Sequence, residues 1–258
     1  MRVFLLTLVA LFPIRAQDVM EIVYAYSARE ASRFDRSRDY TYQLNVVHRR
    51  FKRDGTLKSS SSETYDVLIV NGKPVQKLIE SNGRPATEQE ARARQQALER
   101  AAAHARAVTG PNRGIADRYN DFQLEGEEEI NGRRAWVVSA SRKLAGGIIQ
   151  SRAKLWIDEI DYECAKIELQ SKANLITIDG WGHAAGSGDY EYARVAEGVW
   201  LPVHAMHRND AYMPLTVFPI SLLAQHQDHW ELETTYTNYK RFQADSRIVG
   251  LGEPAEAK

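Results

Sequence analysis

The sequence contains several groups of side chains that could support chemistry, and a cluster of carboxylates is the first. Asp158, Glu159 and Asp161 lie close together in the chain, as general acid–base catalysis would require. The cluster lies between two segments with the alternation of β-strands, and Asp favours the backbone geometry of turns. We therefore predict that these carboxylates form a turn between two strands and are not catalytic.

Two pairs of histidines have a spacing that could suit a metal, His204 with His207 and His226 with His229. A spacing of three places two side chains on one face of a helix but on opposite faces of a strand. Both pairs lie beside or within predicted strands, and a zinc site needs at least three protein ligands. We therefore predict no metal site, and nothing else in the sequence indicates a cofactor.

Cys164 and Ser187 are the candidate nucleophiles. Cys164 is the only cysteine, which excludes an internal disulfide, and it begins an alternating strand where a small buried residue is usual. Ser187 lies between two glycines but lacks the strand, sharp turn and helix that expose a nucleophilic serine. We predict a Gly-rich loop at 180–188, with His183 exposed in it. The sequence indicates no catalytic residue, and we expect a protein that is not an enzyme.

Alternating strands surround these residues and would position them. Ala153, Leu155 and Ile157 alternate with polar or aromatic neighbours, and the alternation resumes after the turn with Cys164, or with Ala165, Ile167 and Leu169. Strand segments recur about every ten residues, separated by Asn-Gly and Asp-Gly turns, which predicts an antiparallel meander. We expect a mainly β protein of the α+β kind, in which one curved antiparallel sheet forms an unclosed half-barrel covered by helices.

Two predicted helices are available to cover the sheet. An amphipathic helix is predicted at about 18–31, and a polar helix rich in Ala, Arg and Glu at 88–107. The second helix begins with a capping box, in which Thr87 and Glu90 satisfy each other's backbone groups. Glu90 also precedes Arg94 by four residues, so we expect an ion pair between them.

The first residues indicate export. Arg2 precedes an apolar run of about ten residues, and Ala16 offers a small residue for cleavage. The run is too short to cross a bilayer, which takes roughly 20 residues; a buried N-terminal strand is the alternative. We therefore predict a signal peptide at 1–16, a single half-barrel domain at 17–246 and a flexible tail at 247–258. The mature chain would be periplasmic or otherwise exported, without a transmembrane segment.

The charge balance argues against a nucleic-acid partner. The chain has 34 basic and 34 acidic residues, so its formal net charge is zero. Removing Arg2 and Arg15 with the signal peptide leaves 32 basic against 34 acidic residues, a net charge of about −2. A nucleic-acid partner would require a basic surface excess, which this composition lacks.

Three stretches resemble a family of exported bacterial proteins. They are Lys154-Leu155-Trp156-Ile157-Asp158, the Gly-Val-Trp-Leu-Pro segment at 198–202 and the Tyr-Thr-Asn-Tyr segment at 236–239. Their order resembles that of the outer-membrane lipoprotein-sorting and lipoprotein-carrier-like proteins, and more closely that of uncharacterised exported proteins grouped with them. The resemblance implies an unclosed β-barrel of about eleven strands, with helices in its mouth and a cavity for acyl chains. The segment at 71–107 is longer than in the carriers, so their handover of cargo to a partner is not implied.

These observations predict an exported protein that binds a lipid, an acyl chain or a lipoprotein moiety in an apolar cavity. Each methylene that such a ligand removes from water contributes about 0.8 kcal/mol. We expect the cavity to be lined by apolar strand residues: Leu155, Ile157, Ile167, Leu169, Val203 and Leu232. Four tryptophans in predicted strands either fill the core or line this cavity: Trp136, Trp156, Trp200 and Trp230. The alternative function is an envelope protein-interaction or sensing module that uses the helix at 88–107 and a sheet edge.

Overall fold

The computed structural model describes residues 18–37, 39–70, 73–108, 115–144, 149–177, 180–214 and 225–241. The predicted signal peptide at 1–16 and the predicted tail at 247–258 lie outside these described residues. Both expectations therefore remain predictions.

Three helices and eleven strands make up the described chain. The helices are α1 (Val19–Ser37), α2 (Glu88–Val108) and α3 (Ile115–Arg118). The first strands are β1 (Tyr40–Phe51), β2 (Leu57–Val70), β3 (Lys73–Ser81) and β4 (Arg84–Pro85). The remaining strands are β5 (Asp121–Ile130), β6 (Arg133–Leu144), β7 (Ile149–Asp158), β8 (Cys164–Thr177), β9 (Gly180–Ala196), β10 (Val199–Pro214) and β11 (Gln225–Arg241). None of the described helices combines the length and the apolar character needed to cross a membrane.

All eleven strands form one antiparallel sheet, in the order β4-β3-β2-β1-β11-β10-β9-β8-β7-β6-β5. The chain runs outward from β1 to the edge strand β4, passes through α2 and α3 to the opposite edge at β5, and returns to β11. Pairing of β11 with β1 joins the two halves of the sheet. Because β4 and β5 each pair on one side only, the sheet is not closed into a barrel. The predicted fold class is confirmed.

One face of the sheet, which we call the inner face, packs against α1 and α2. Directly paired residues of neighbouring antiparallel strands share a face. Leu155 pairs with Ile167, and Ile167 pairs with Tyr190, so the inner face can be followed from β7 to β9. It continues on β10 and β11 through His207 and Leu232, which pair with each other. We call the opposite face the outer face.

Helix α1 forms the larger part of the core with β6, β7 and β8. Ile22, Val23 and Tyr26 are at most 1% exposed. They pack in one cluster with inner-face residues of these strands: Trp136, Val138, Ala140, Ala153, Leu155, Ile157, Cys164 and Ile167. This burial of an apolar helix stripe against an apolar sheet face is the main reason that α1 is fixed there.

The helix α1 continues to Ser37, past its predicted end at residue 31. Arg33 and Arg36, in its last turns, form ion pairs with Glu163, which lies just before β8 and is 1% exposed. A carboxylate buried to this extent requires charged partners. Those partners lie on α1, so the ion pairs explain why the helix is longer than its apolar periodicity predicts.

Helix α2 covers β1, β2 and β3 through a thin apolar stripe. Its Ala91 and Leu98 contact a second inner-face cluster, made of Leu44, Tyr65, Val67 and Leu78. The predicted capping box is confirmed, because Thr87 Oγ1 accepts a hydrogen bond of 3.3 Å from the backbone N–H of Glu90. In return, Glu90 Oε2 accepts one of 2.9 Å from the backbone N–H of Thr87.

The predicted ion pair between Glu90 and Arg94 is wrong. Glu90 instead forms an ion pair with Arg84 of β4, with a separation of 2.5 Å. Arg94 turns toward the sheet and pairs with Glu63 of β2. The reason is that Arg94 lies on the side of α2 that faces the inner face, where the Glu63 carboxylate needs a cation.

Two predicted Asn-Gly turns are confirmed by their backbone conformation. Asn82 and Gly83 have φ angles of 49° and 77°, and Asn131 and Gly132 have φ angles of 54° and 74°. Two consecutive positive φ angles define the type I′ turn, which matches the twist of the strands that it joins. Each turn therefore sets the register of its hairpin.

The predicted Gly-rich loop at 180–188 is wrong, because this segment is the first half of strand β9. His183 consequently lies in a strand and not in a loop. Glycine and alanine have low strand propensity on their own. Here β8 and β10 pair with β9 on both sides and supply partners for its backbone groups, which overrides the local preference.

Candidate functional site

Among the described residues, the inner face is open between the parts covered by α1 and α2. Two cavities of about 510 Å³ and 270 Å³ lie there, on either side of Trp230 of β11. We call the two together the inner cavity. The larger part is lined by Val46, His48, Arg50, Ser61, Glu63, Arg94, Trp230 and Leu232. The smaller part is lined mainly by β8 to β11, including Leu169, Ser171, Gly186, Gly188, Tyr190, His207 and Trp230. Sites for small ligands commonly have volumes of about 300–1,000 Å³.

Five of the six residues predicted to line a cavity fall into two groups, and the sixth, Val203, is separate. Leu155, Ile157 and Ile167 are buried in the core beneath α1 and do not line the inner cavity. Leu169 and Leu232 do line it, in its smaller and larger parts respectively. The division arises because α1 fills the space over β7 that the sequence pattern leaves available to a ligand. A ligand role for any of these residues stays a prediction.

Val203 is the one predicted lining residue that is separated from the others. It lies at a bulge of β10, where the pairing register shifts between Pro202 and His204. Val203 lines another cavity, of about 620 Å³, together with Lys166 and Glu191. Those two residues pair with each other next to the inner-face pair of β8 and β9, so they lie on the outer face. The extra residue of a bulge is unpaired, and simple alternation therefore fails at this position.

Glycines of β9 provide the depth of the smaller part of the inner cavity. Gly188 pairs with Leu169 on one side and His207 on the other, and Gly186 lies two residues away on the same face. A Cβ atom at Gly188 would lie 3.0 Å from the ring of Tyr190, a closer approach than most real Cβ contacts. Glycine here therefore permits the position of the Tyr190 ring. Gly186 and Gly188 occupy alternate positions of the sequence, which is the spacing of residues on one face of a strand. The sequence therefore contained a signal for this cavity wall, although we predicted a loop there.

The wall of the smaller part contains two polar groups that stay uncharged at neutral pH. The ring centroids of Tyr190 and His207 are 5.0 Å apart, and their planes are nearly perpendicular. Tyr190 Oη lies 3.4 Å from His207 Nδ1. Burial lowers the pKa of His207, although the nearby Asp189 carboxylate has the opposite effect. Burial also raises the pKa of the Tyr190 phenol. This part of the cavity is therefore aromatic and neutral.

The larger part has a charged network on its α2 side. Tyr65 Oη donates a hydrogen bond of 2.6 Å to Glu63 Oε2 and accepts one of 2.7 Å from Arg94 Nε. Arg94 also forms an ion pair with Glu63. Burial, followed by the hydrogen bond to Glu63, raises the pKa of Tyr65 to about 12. The Glu63 carboxylate is thus compensated within the protein.

Trp230 and two residues of β1, His48 and Arg50, lie beside one another in the lining of the larger part. Arg50 is directly opposite Trp230 in the pairing of β1 with β11. The rings of His48 and Trp230 have a centroid distance of 6.0 Å in an edge-on arrangement. Of the four tryptophans in predicted strands, Trp230 is the one that lines the inner cavity, whereas Trp136 lies in the core beneath α1.

The predicted carboxylate turn is confirmed, and its groups are bound within the protein. Arg133 donates hydrogen bonds of 2.5 Å and 2.7 Å to the two carboxylate oxygens of Asp158. Asp161 accepts hydrogen bonds of 2.9 Å from both Arg194 Nε and Trp200 Nε1. Burial by itself would raise the pKa of Asp158, but the hydrogen bonds from Arg133 and the turn backbone outweigh it and lower the pKa. These carboxylates hold the β7–β8 turn together.

The cysteine and the histidines considered as candidate nucleophile and metal ligands are held in buried or separate places of the fold. Cys164 is fully buried in the core beneath α1, and burial raises the pKa of its thiol to about 12. His204 lies 3.3 Å from Glu233, whereas His207 faces the inner cavity, so the pair does not share a face. Within the described part of the chain, no three His, Cys, Asp or Glu side chains are grouped so that they could hold a metal ion.

Comparisons with known proteins give little further information. No protein-family model matches the chain, and no curated protein matches it significantly. Among solved structures, the chain is similar to a DUF1329 family protein from Desulfovibrio piger, with 10% sequence identity and a TM-score of 0.32. The match covers 91% of this chain and 95% of the other. A similarity of this size does not assign the chain to a family.

Proposed function

We propose that this protein is an exported, non-enzymatic binding protein that holds the tail of a lipid or acyl chain in its inner cavity. One observation supports the proposal above all. Trp230 and Leu232, both half-buried, face a cavity of about 510 Å³ that α2 borders through Arg94. Aromatic and aliphatic side chains in the wall of a cavity of this size are typical of a site that binds an apolar ligand.

The energetics favour a long, flexible apolar chain as the ligand. Each methylene that moves from water to the cavity contributes about 0.8 kcal/mol, so a chain of several methylenes can outweigh the cost of ordering it. The cavity continues from Leu232 past Trp230 to Leu169 and Tyr190, which suits an elongated occupant. The Tyr190–His207 pair presents a neutral aromatic wall at the inner end, against which an acyl tail can pack.

The resemblance of Lys154–Asp158 and of the segments at 198–202 and 236–239 to the lipoprotein-sorting and lipoprotein-carrier-like proteins supports an acyl chain, or the acyl chains of a lipoprotein, as the ligand. It also supports export. We infer that residues 1–16 are removed and that the mature protein is periplasmic or otherwise exported. N-terminal sequencing of protein recovered from the expressing cells would show a start near Gln17 on this account, and an intact Met1 would contradict it.

Analysis of the purified protein for bound lipid tests the proposed function. The mature chain should be purified without detergent, examined by native mass spectrometry and extracted with organic solvent. We expect a population whose mass exceeds that of the chain by one lipid, with the same lipid in the extract. A protein that is free of lipid, and that binds none when long-chain alcohols are added, would contradict the proposal.

A second function, docking of an envelope protein, is favoured by the edge strand β5. This strand pairs with β6 alone, and most of its residues are exposed. Its Glu127, Glu128 and Glu129 and the irregular pairing at Gly126 oppose simple addition of another strand. A partner would therefore have to be basic. Absence of bound lipid together with a filled interior would favour this function over the first.

A further inference from the structure

We propose that the ligand of the inner cavity carries a single anionic head group, a carboxylate or a phosphate, and that Arg50 binds this group at the mouth of the cavity. This inference rests on the proposed function and specifies the class of ligand. The ligand would be a single-chain amphiphile, such as a fatty acid or a lipid with one chain and one phosphate. Its head would remain in contact with water while its tail lies beneath Trp230.

The charges that line the larger part of the cavity favour an anion. The charged lining residues are Arg50, Arg94 and Glu63. Arg94 and Glu63 form an ion pair with each other, so their charges cancel. Arg50 is exposed and forms no ion pair with any described residue. The lining therefore has an excess of one positive charge, located at Arg50.

Two other arginines of the sheet, unlike Arg50, form ion pairs with nearby carboxylates. Arg49, the preceding residue, lies on the outer face and pairs with Glu233 at 2.8 Å. Arg208 of β10 lies between Asp189 and Glu231, at 2.6 Å and 3.5 Å. The outer face thus supplies a carboxylate to each of these arginines. Arg50, on the inner face, forms no such pair with any described carboxylate.

The position of Arg50 suits a head group whose tail enters the cavity. Arg50 is paired directly with Trp230 on one side and Ser59 on the other. A guanidinium group can donate two parallel hydrogen bonds to a carboxylate or phosphate. The His48 and Ser61 side chains, which are paired inner-face residues two positions further along, supply more polar groups at the same wall. Beyond them, Trp230 and Leu232 and then Tyr190 and Leu169 supply the apolar part of the lining.

A matched pair of ligands tests the inference. Oleate and oleyl alcohol have the same chain but differ in head-group charge, and their affinities can be measured by isothermal titration calorimetry at pH 8. We expect the wild-type protein to bind oleate about tenfold more tightly than oleyl alcohol, as one charge-assisted contact at a partly exposed site would give. Arg50→Gln should bind oleate no more tightly than oleyl alcohol. Arg50→Lys should retain part of it.

Arg53→Gln provides the control, because it removes the same charge from an exposed residue outside the inner cavity. It should keep the full preference for oleate. Equal affinity of the wild-type protein for oleate and oleyl alcohol would overturn the inference while leaving the proposed function intact. Failure of the wild-type protein to bind either ligand would overturn both. Displacement of oleate by inorganic phosphate at similar concentration would also overturn the inference, since a free anion would then suffice.

Discussion

Arg33 of α1 donates a hydrogen bond of 3.0 Å to Glu163, a residue 130 positions further along the chain. Arg36, one turn later in α1, also forms an ion pair with Glu163. The two contacts attach the end of α1 to the start of β8 and hold the helix over the inner face. They thereby determine which part of that face is core and which part stays open as the inner cavity.

Replacement of Glu163 tests how far this attachment stabilises the fold. Glu163→Ala leaves two partly buried arginines without their carboxylate, so we expect it to lower the free energy of unfolding by about 3 kcal/mol. Glu88→Ala is the control, because the Glu88–Arg92 pair is largely exposed and should contribute less than about 1 kcal/mol. Urea unfolding followed by circular dichroism measures both. Equal effects of the two substitutions would argue that the Glu163 contacts are not important for stability.

The Arg133–Asp158 contact should make stability depend on pH in acid. Because hydrogen bonds lower the folded-state pKa of Asp158 below its ordinary value of 3.8, the ionised form stabilises the folded chain. This contribution is complete above the unfolded-state pKa and is lost as the pH falls through the folded-state pKa. Asp158→Asn should cost about 2 kcal/mol at pH 7, and the difference from wild type should shrink below about pH 4.

Unfolding experiments at several pH values between 7 and 2 measure this difference. A difference between wild type and Asp158→Asn that stays constant over the whole range would mean that the carboxylate charge is not involved. Asp39→Asn is a suitable control, because Asp39 is exposed and its side chain forms no hydrogen bond or ion pair with any described residue.

Cys164 should be unreactive in the folded protein. Its side chain is fully buried, and burial raises the pKa of the thiol to about 12 although Arg33 has the opposite effect. The thiolate, which is the reactive form, is therefore scarce at pH 8 and also inaccessible. A chromogenic thiol reagent should modify the native protein only at the rate of unfolding, and the guanidinium-unfolded protein at once. Rapid modification of the native protein would show that α1 does not cover this region.

The elements that were predicted correctly from the sequence are those whose conformation depends on residues close together in the chain. Asn82-Gly83 forms its turn because both residues tolerate positive φ, and Thr87 with Glu90 caps α2 because each satisfies the other's backbone. Period-two alternation correctly placed Leu155 and Ile167 on one face. Each of these inferences needs only local stereochemistry.

The features that were missed depend on contacts between distant segments. Strand β9 has glycines where strands usually have β-branched residues, and its neighbours β8 and β10 make it a strand. The inner cavity requires the pairing of β1 with β11, which brings Arg50 opposite Trp230. The burial of Leu155 and Ile157 depends on the packing of α1, which is distant in the chain, against β7. None of these pairings leaves a signal within a short stretch of sequence.

The most direct test of a lipid-binding inner cavity is to fill the cavity from its glycine wall. Gly186→Leu introduces a side chain on the inner face, and its Cβ would make only ordinary contacts, at 3.5 Å from Ser171 Oγ and 3.6 Å from the Arg208 carbonyl oxygen. Ser60→Leu is the matched control, because Ser60 is exposed, pairs with the outer-face residue Arg49 and does not line the inner cavity. The measurement is the affinity of oleyl alcohol for each folded protein, by titration calorimetry. We predict that wild type and Ser60→Leu bind one molecule with similar affinity and that Gly186→Leu binds it at least about tenfold more weakly. Equal affinities for all three proteins would contradict the account, since the ligand would then bind elsewhere.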